Sequence, residues 1–177
     1  KTSEKIYTGF EYLISTDLVT KLDENQNELS LLSSNFILLD INHNHNYNLV
    51  SDALEQILDF RMIPIISHPE RFEILNKERI FELKDKGILF QLSLGSFSSF
   101  FGEEIEKKSK DFLEIGIYDF IATDSINYDQ MNNSFIENKI ESVSKIIGSQ
   151  KLNEIFLENP KNVIDQKSSN DFQISRH

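Results

Sequence analysis

Apolar residues recur along this chain in five short runs that are separated by nearly equal intervals. The runs centre near Ile6, Ile37, Ile65, Leu92 and Ile121, in steps of 31, 28, 27 and 29 residues. The third run is apolar at Ile63, Ile65 and Ile66, which is typical of a strand buried on both faces of a parallel sheet. The pattern therefore predicts five strands.

Helical periodicity fills most of the intervals between these runs. It predicts helices over residues 50–60, 77–86, 103–114 and 135–147. Gly87, Gly116 and Gly148 follow three of these segments, as C-terminal capping glycines do. A strand–helix unit of roughly 30 residues is the βαβ repeat of a parallel sheet, so we predict an α/β fold.

The number of repeats restricts the kind of parallel sheet. A complete barrel of this type needs about eight units and roughly 250 residues, whereas the chain has 177 residues. We therefore expect a barrel whose first strand–helix units are absent. A doubly wound open sheet is the alternative, although the chain lacks the glycine-rich phosphate loop that accompanies many such sheets.

Charge and composition exclude several classes of function. The net charge is −11, so an anionic nucleic acid or membrane surface is a poor partner. The chain has no cysteine, which excludes disulfides and thiolate catalysis. We find neither a signal peptide nor an apolar run of the ~20 residues that span a bilayer. The chain begins at Lys1, so we expect an upstream segment.

Chemically active residues follow the predicted strands. Glu11, Asp40, His68 and Asp124 come at or after four strand ends, and a Gly95-Ser96 turn follows the fourth strand. The carboxyl ends of parallel strands meet at one rim, where active sites of strand–helix folds collect. Carboxylate and imidazole groups are ligands that Mn²⁺, Fe²⁺ and Zn²⁺ accept. The four residues together predict a metal site.

Each of these residues also has a purely structural interpretation. An acid after a strand can cap the next helix, and His68 can be a turn histidine beside a solvated Arg71. We expect His43 and His45 to lie in a solvated loop, and Glu70 and Glu73 to remain solvated. We expect Phe97, Phe100 and Phe101 to serve in packing rather than in stacking on nucleic-acid bases.

Several motifs occur in an order and spacing that resemble one bacterial family. They are Gly-Phe-Glu at 9–11, Ile-Ile-Ser-His-Pro-Glu-Arg-Phe at 65–72, Gln-Leu-Ser-Leu-Gly-Ser at 91–96, Phe-Gly at 101–102, Ile-Ala-Thr-Asp at 121–124 and Glu-Asn-Pro-Lys-Asn at 158–162. Together they resemble the manganese-dependent protein-tyrosine phosphatases of capsule and exopolysaccharide operons. These phosphatases belong to the polymerase-and-histidinol-phosphatase (PHP) superfamily.

The resemblance implies a PHP-type distorted (β/α)7 TIM-like barrel, here without its first strand–helix units. It implies a phosphatase domain over residues 1–165 and a polar tail over residues 166–177. It also implies that Glu11, His68 and Asp124 bind Mn²⁺, with Fe or Zn as alternatives, and that Asp40 is a further ligand in place of the family's usual glutamate. His68 and Arg71 would be the catalytic residues, with Arg71 holding the phosphoryl oxygens as a bidentate guanidinium can.

The function implied by the resemblance is hydrolysis of phosphotyrosine on a cytoplasmic protein. That protein would be an autophosphorylated kinase that regulates capsular or exopolysaccharide biosynthesis. Two alternatives are a degenerate, non-catalytic PHP-like binding or regulatory protein, and a small-molecule phosphatase of histidinol-phosphate type. Self-association through exposed barrel edges, for example near Ile6, would cover apolar surface.

The chain also departs from this family. Relatives begin with a strand that carries a His-x-His motif, and that strand has no counterpart in this sequence. Ile126 occupies the position of a metal-binding histidine after the last aspartate, and Gln130 and Met131 stand where relatives have an arginine. Since isoleucine cannot bind a metal, we expect reduced metal occupancy.

Overall fold

A five-stranded parallel β-sheet forms the centre of the molecule. The structure is a computed structural model, and it describes residues 6–124 and 132–165. The strands are β1 (Glu11–Leu13), β2 (Phe36–Asp40), β3 (Ile63–Ser67), β4 (Leu89–Ser93) and β5 (Phe120–Ala122). They pair in sequential order, β1-β2-β3-β4-β5. The predicted α/β fold with a parallel sheet is therefore confirmed.

Helices connect the strands and follow the last one. They are α1 (Thr16–Leu29), α2 (Tyr47–Asp59), α3 (Lys77–Asp85), α4 (Glu103–Glu114), α5 (Asn133–Asn153) and α6 (Asn159–Asp165). Shorter turns of 3₁₀ helix occur at Leu31–Ser33, Pro69–Arg71 and Ser99–Phe101, and a π-helical segment spans Glu154–Glu158. No helix within the described residues combines the length and apolar character that a membrane crossing requires.

Side-chain alternation along the strands gives the sheet two unequal apolar faces. Ile37 and Leu39 of β2 join the larger core, which also contains buried residues of helices α1 to α5. Phe36 of β2 points to the opposite face and belongs to a smaller cluster, which also contains Phe120 of β5 and Val163 of α6. The sheet is therefore covered on both faces, as parallel sheets require.

The first strand differs from its prediction. The expected strand centred on Ile6 is wrong, because β1 begins only at Glu11. Glu11 pairs with Leu38, so continuing the register would place Gly9 opposite Phe36, where β2 begins. In that register, residues 6–8 have no residue of β2 to pair with.

The doubly wound alternative is also wrong within the described residues. Such sheets reverse their strand order at a switch point, whereas all five strands described here are sequential neighbours. Each intervening unit adds its strand to the same growing edge. Among the described residues, β1 and β5 are the two edge strands.

Candidate functional site

His68 lies where β3 ends and the chain turns sharply. Its backbone is left-handed, with φ of 33° and ψ of 53°. Its amide nitrogen still donates to the carbonyl oxygen of Gln91, at 2.9 Å, so sheet pairing continues to this residue. The next three residues form the 3₁₀ turn Pro69–Arg71. Because a non-glycine residue in this conformation is strained, pairing on one side and the turn on the other must hold it there.

Glu11, Asp40 and His68 form the group within the described residues that could hold a metal ion. One ligand atom from each lies within 4.8 Å of those of the other two. His68 Nε2 is 3.4 Å from a Glu11 carboxylate oxygen and 3.8 Å from an Asp40 carboxylate oxygen. The Ser67 hydroxyl donates to Glu11. Three predicted ligands from three neighbouring strands therefore converge.

The donor chemistry of this group suits a divalent cation. Interaction with His68 lowers the pKa of Glu11 below its ordinary value of 4.5, in spite of partial burial. Glu11 is therefore ionised at neutral pH. His68 presents Nε2 to the carboxylates, and its buried Nδ1 has no hydrogen-bond partner among the described residues. Two carboxylates and one imidazole nitrogen are accepted by Mn²⁺, Fe²⁺ and Zn²⁺.

Arg71 is fixed beside this group by hydrogen bonds to three side chains. Its Nε donates to the Ser96 hydroxyl at 2.8 Å, and its Nη2 donates to the Ser93 hydroxyl at 2.7 Å. Nη2 also forms an ion pair with Asp124 at 2.6 Å. The guanidinium lies over the Phe101 ring, 3.9 Å from its centroid. Among the described residues, Nη1 donates no hydrogen bond, so it is available to an anion.

Asp124 contacts Arg71 and is not part of the group that could hold a metal. Its backbone φ is +49°, in the left-handed region. An aspartate in this position orients the guanidinium and reduces its net charge. The assignment of Asp124 as a metal ligand stays a prediction. Ile126, Gln130 and Met131 lie outside the described residues.

Glu70 is buried, and the prediction that it remains solvated is wrong. Only 1% of its surface is exposed, and the Tyr118 hydroxyl donates to its carboxylate at 3.0 Å. Burial raises the pKa of Glu70 above its ordinary value of 4.5. Glu73 is exposed, as expected. The residues on both sides of Arg71 therefore differ sharply in environment.

The histidine pair of the Asn-rich segment lies outside the candidate metal group. His43 and His45 occupy the loop between β2 and α2, but His45 is half-buried rather than solvated as predicted. His43 is exposed, and its ring packs 5.3 Å from that of Phe72. The group that could hold a metal does not include either histidine.

Sequence reasoning did not assign a role to Ser93, Ser96 or Phe101 in holding Arg71. The Gln-Leu-Ser-Leu-Gly-Ser segment placed Ser93 and Ser96 near the rim, but nothing in it indicates that arginine is their partner. The two serines are 22 and 25 residues away from Arg71. Such contacts become visible only when β3 and β4 are paired.

Comparison with known proteins gives consistent matches. Residues 1–165 match the family described as "Capsular polysaccharide synthesis, CpsB/CapC". The chain is 28% identical to tyrosine-protein phosphatase CpsB of Streptococcus pneumoniae over 163 residues, covering 88% of this chain and 66% of that protein. It is 24% identical to the CpsB phosphatase of Streptococcus agalactiae, covering 90% of this chain and 68% of that protein. The chain thus spans about two thirds of the length of these relatives.

The fold also matches a solved structure. The match comes from the crystal structures of YwqE from Bacillus subtilis and CpsB from S. pneumoniae, described as unique metal-dependent tyrosine phosphatases. The TM-score is 0.78 at 22% identity, and the match covers 95% of this chain and 69% of the other. These likenesses favour neither the non-catalytic alternative nor the histidinol-phosphate alternative. With a family match over residues 1–165, the chain belongs to the CpsB/CapC family of capsular polysaccharide synthesis.

Proposed function

We propose that this chain is a metal-dependent protein-tyrosine phosphatase. The observation that carries the proposal is one rim at which a three-ligand group lies beside an anchored arginine. Glu11, Asp40 and His68 offer ligands for a cation, and Arg71 keeps Nη1 available within the described residues. A cation site beside a guanidinium suits a phosphate ester, whose charge both can stabilise. The relatives named as tyrosine-protein phosphatases support the same substrate class.

Each residue of the site has a distinct role in this proposal. Glu11, Asp40 and His68 would hold the metal, which we propose is Mn²⁺, with Fe or Zn as alternatives. When bound, such an ion supplies Lewis acidity and lowers the pKa of a water molecule. Arg71 binds the phosphoryl oxygens through Nη1, while Ser93 and Ser96 hold its other nitrogens in plane. His68 contributes its Nε2 as a metal ligand. Asp124 either orients Arg71 or completes the metal site.

We further propose a PHP-type TIM-like barrel that lacks its first strand–helix units here. The sequential order of five parallel strands and the fold match support this arrangement. Residues 1–165 would form the phosphatase domain, followed by a polar tail over 166–177. Ile6 and Phe10, which are 90% and 71% exposed beside β1, would be covered by added strands or by a second copy of the chain.

The substrate that we propose is a phosphotyrosine protein that regulates polysaccharide synthesis. The family description places these proteins in capsular polysaccharide synthesis. An autophosphorylating tyrosine kinase of the same operon fits this description, and it would meet the phosphatase in the cytoplasm. Nothing in the acidic composition favours a nucleic acid, since the net charge is −11.

A chromogenic aryl phosphate tests the proposed activity. We expect the purified chain to hydrolyse p-nitrophenyl phosphate in the presence of Mn²⁺ and to lose activity when the metal is chelated. His68→Ala should reduce the rate by at least about a hundredfold, because it removes a ligand nitrogen. His43→Ala is the matched control, since His43 is exposed and lies outside the ligand group. Circular dichroism checks that both variants fold.

Metal content provides an independent measurement. Elemental analysis after incubation with Mn²⁺ should show bound metal in the wild-type chain and in His43→Ala, and less in His68→Ala. Equal hydrolysis with and without metal would contradict the proposal, as would equal rates for wild type and His68→Ala. Bound metal without any hydrolysis would instead support the non-catalytic alternative.

A further inference from the structure

Two adjacent phenylalanines are exposed beside Arg71. Phe100 and Phe101 end the 3₁₀ turn Ser99–Phe101, and 53% and 39% of their surfaces are exposed. Phe97 in the same segment is 2% exposed and belongs to the main core. The expectation that all three serve in packing is therefore confirmed for Phe97 alone. The two rings form a small apolar patch directly beside the proposed anion site.

The Phe101 ring lies against the guanidinium of Arg71, whose Nη1 donates no hydrogen bond within the described residues. The guanidinium lies on the Phe101 ring, 3.9 Å from its centroid, while hydrogen bonds to Ser93 and Ser96 occupy the edge that contains Nε and Nη2. A group that binds at Nη1 is consequently close to the rim of the Phe101 ring. The Phe100 ring extends this surface, with its centroid 6.0 Å from that of Phe101 at an interplanar angle of 52°.

We propose that Phe100 and Phe101 form the surface that binds the aryl ring of the substrate, so that the site selects aryl phosphates over alkyl phosphates. This inference rests on the proposed function, in which Arg71 holds the phosphate. In an aryl phosphate the ester oxygen is bonded directly to a ring carbon. The first atoms beyond the phosphate group therefore belong to the aromatic ring. Tilted and offset contacts between aromatic rings are favourable.

The overall charge makes such a local contact important. With a net charge of −11, the protein repels anions at long range. Asp124 also neutralises part of the charge of Arg71 through its ion pair at 2.6 Å. In the proposed function the metal and Arg71 bind the phosphate group, and a contact with the rest of the ester would add affinity that inorganic phosphate lacks. Only an aromatic ester group can use both rings fully.

Affinity for phosphonates tests this selectivity, because their carbon–phosphorus bond resists hydrolysis. Phenylphosphonate, ethylphosphonate and inorganic phosphate are titrated calorimetrically into the chain in Mn²⁺-containing buffer. We expect phenylphosphonate to bind about tenfold more tightly than ethylphosphonate. Phe100→Ala should weaken phenylphosphonate about tenfold more than inorganic phosphate. Phe81→Ala is the control, because Phe81 lies on α3 and is 40% exposed. It should leave all three affinities unchanged.

A tryptophan reporter gives a second measurement. The chain has no tryptophan, so Phe100→Trp introduces a single fluorophore at the proposed surface. We expect phenylphosphonate to change its emission and ethylphosphonate to leave it nearly unchanged. Because the substitution keeps an aromatic ring, it should also retain the preference for phenylphosphonate that Phe100→Ala loses. That difference separates a ring contact from a folding defect.

Each contrary outcome has a distinct meaning. If the preference for phenylphosphonate persists in both Phe100→Ala and Phe101→Ala, the proposal is wrong. It is also wrong if Phe101→Ala weakens all three ligands equally while Phe100→Ala changes none, since Phe101 would then only position Arg71. In both cases inorganic phosphate binding that depends on Arg71 would leave the proposed function intact. Phosphate binding that is insensitive to Arg71→Lys would overturn the proposed function together with this inference.

Discussion

At the residue scale, the arrangement of Arg71 is the central feature of the site. Its guanidinium meets two serine hydroxyls and one carboxylate along its edges and an aromatic ring on its face. A side chain held in this way loses little further conformational freedom when it binds an anion. This pre-organisation depends on the planar fork of arginine, which a lysine ammonium cannot reproduce.

Substitution of this residue tests the role of the fork. Arg71→Lys retains the positive charge, but it should weaken inorganic phosphate binding by about tenfold or more, because directional charge-assisted hydrogen bonds are lost. Isothermal titration in the presence of Mn²⁺ measures the effect. Arg79→Lys is the matched control, since Arg79 lies on α3 against the Tyr47 ring. Equal phosphate affinity in Arg71→Lys and wild type would remove Arg71 from the anion site.

The sequence identified His68 and Arg71 but not the residues that support them. His68 is recognisable because an apolar strand runs directly into it, and Arg71 follows within the same turn. Ser93 and Ser96, which hold Arg71, are 22 and 25 residues away from it, and Tyr118, which binds the neighbouring Glu70, is 48 residues from that residue. No local pattern records which distant hydroxyl will face a given carboxylate or guanidinium. The burial of Glu70 could therefore not be inferred from its charged neighbours.

At the element scale, short polar side chains cap the N-termini of four of the helices. Ser15, Asn46, Asn76 and Asn132 each accept a hydrogen bond from a backbone amide in the first turn of a helix. These caps satisfy amide groups that the helix itself cannot pair. Asn46 also ends the loop that contains His43 and His45, and within that loop the Asn42 side chain accepts a hydrogen bond from the Asn44 amide at 3.0 Å.

Removal of one cap should destabilise the fold by a measurable amount. Asn46→Ala removes the acceptor that lies 3.0 Å from the Leu49 amide, and we expect a loss of about 1 kcal/mol. Urea denaturation followed by circular dichroism gives the free energy of unfolding. Asn48→Ala is the matched control, because Asn48 is exposed in the first turn and is not the cap. Equal losses in the two variants would show that the cap contributes nothing specific.

The limits of the elements were less predictable than their existence. The pattern for 103–114 gave helix α4 with its observed bounds, and Gly87 follows α3 with φ of +93°. Helix α1 was not predicted, since its apolar residues are few and its segment is largely polar. Gly148 was expected to end the helix over 135–147, and its φ of +79° and ψ of 160° do interrupt the helical backbone there, before a second helical stretch runs on to Asn153. Local periodicity thus located most of the helices, whereas a largely polar segment such as α1 escaped it.

At the scale of the whole molecule, half-buried charged groups connect successive units of the sheet. Asp119 precedes β5, pairs with Lys84 of α3 at 3.0 Å and accepts a hydrogen bond from the Phe90 amide of β4 at 3.0 Å. Burial raises the pKa of Asp119 above its ordinary value of 3.8, although Lys84 acts in the opposite direction. The folded protein therefore favours the neutral form of the Asp119 carboxyl more than the unfolded chain does.

This raised pKa predicts a dependence of stability on pH. The stability that the neutral Asp119 carboxyl contributes is complete below pH 3.8 and is lost as the pH rises through the folded-state pKa. Asp119→Asn cannot titrate. The free energy of unfolding of wild type should therefore fall relative to that of Asp119→Asn as the pH rises above 3.8.

Urea denaturation at several pH values measures this difference. Asp85→Asn is the matched control, because it neutralises an exposed carboxylate on the same helix as Lys84. We expect its difference from wild type to change less with pH. A difference between wild type and Asp119→Asn that stays constant over the range would contradict the predicted shift.

The sequence by itself determined the repeating strand–helix pattern, the α/β class and the best candidates for chemistry. These properties follow from local periodicity and from residue types at strand ends, which need no knowledge of distant contacts. Only the tertiary structure decided that β1 begins at Glu11, that Glu70 is buried, and that Asp124 meets Arg71. The physical reason is that pairing register and burial depend on residues far apart in the chain, which come together only when the sheet assembles.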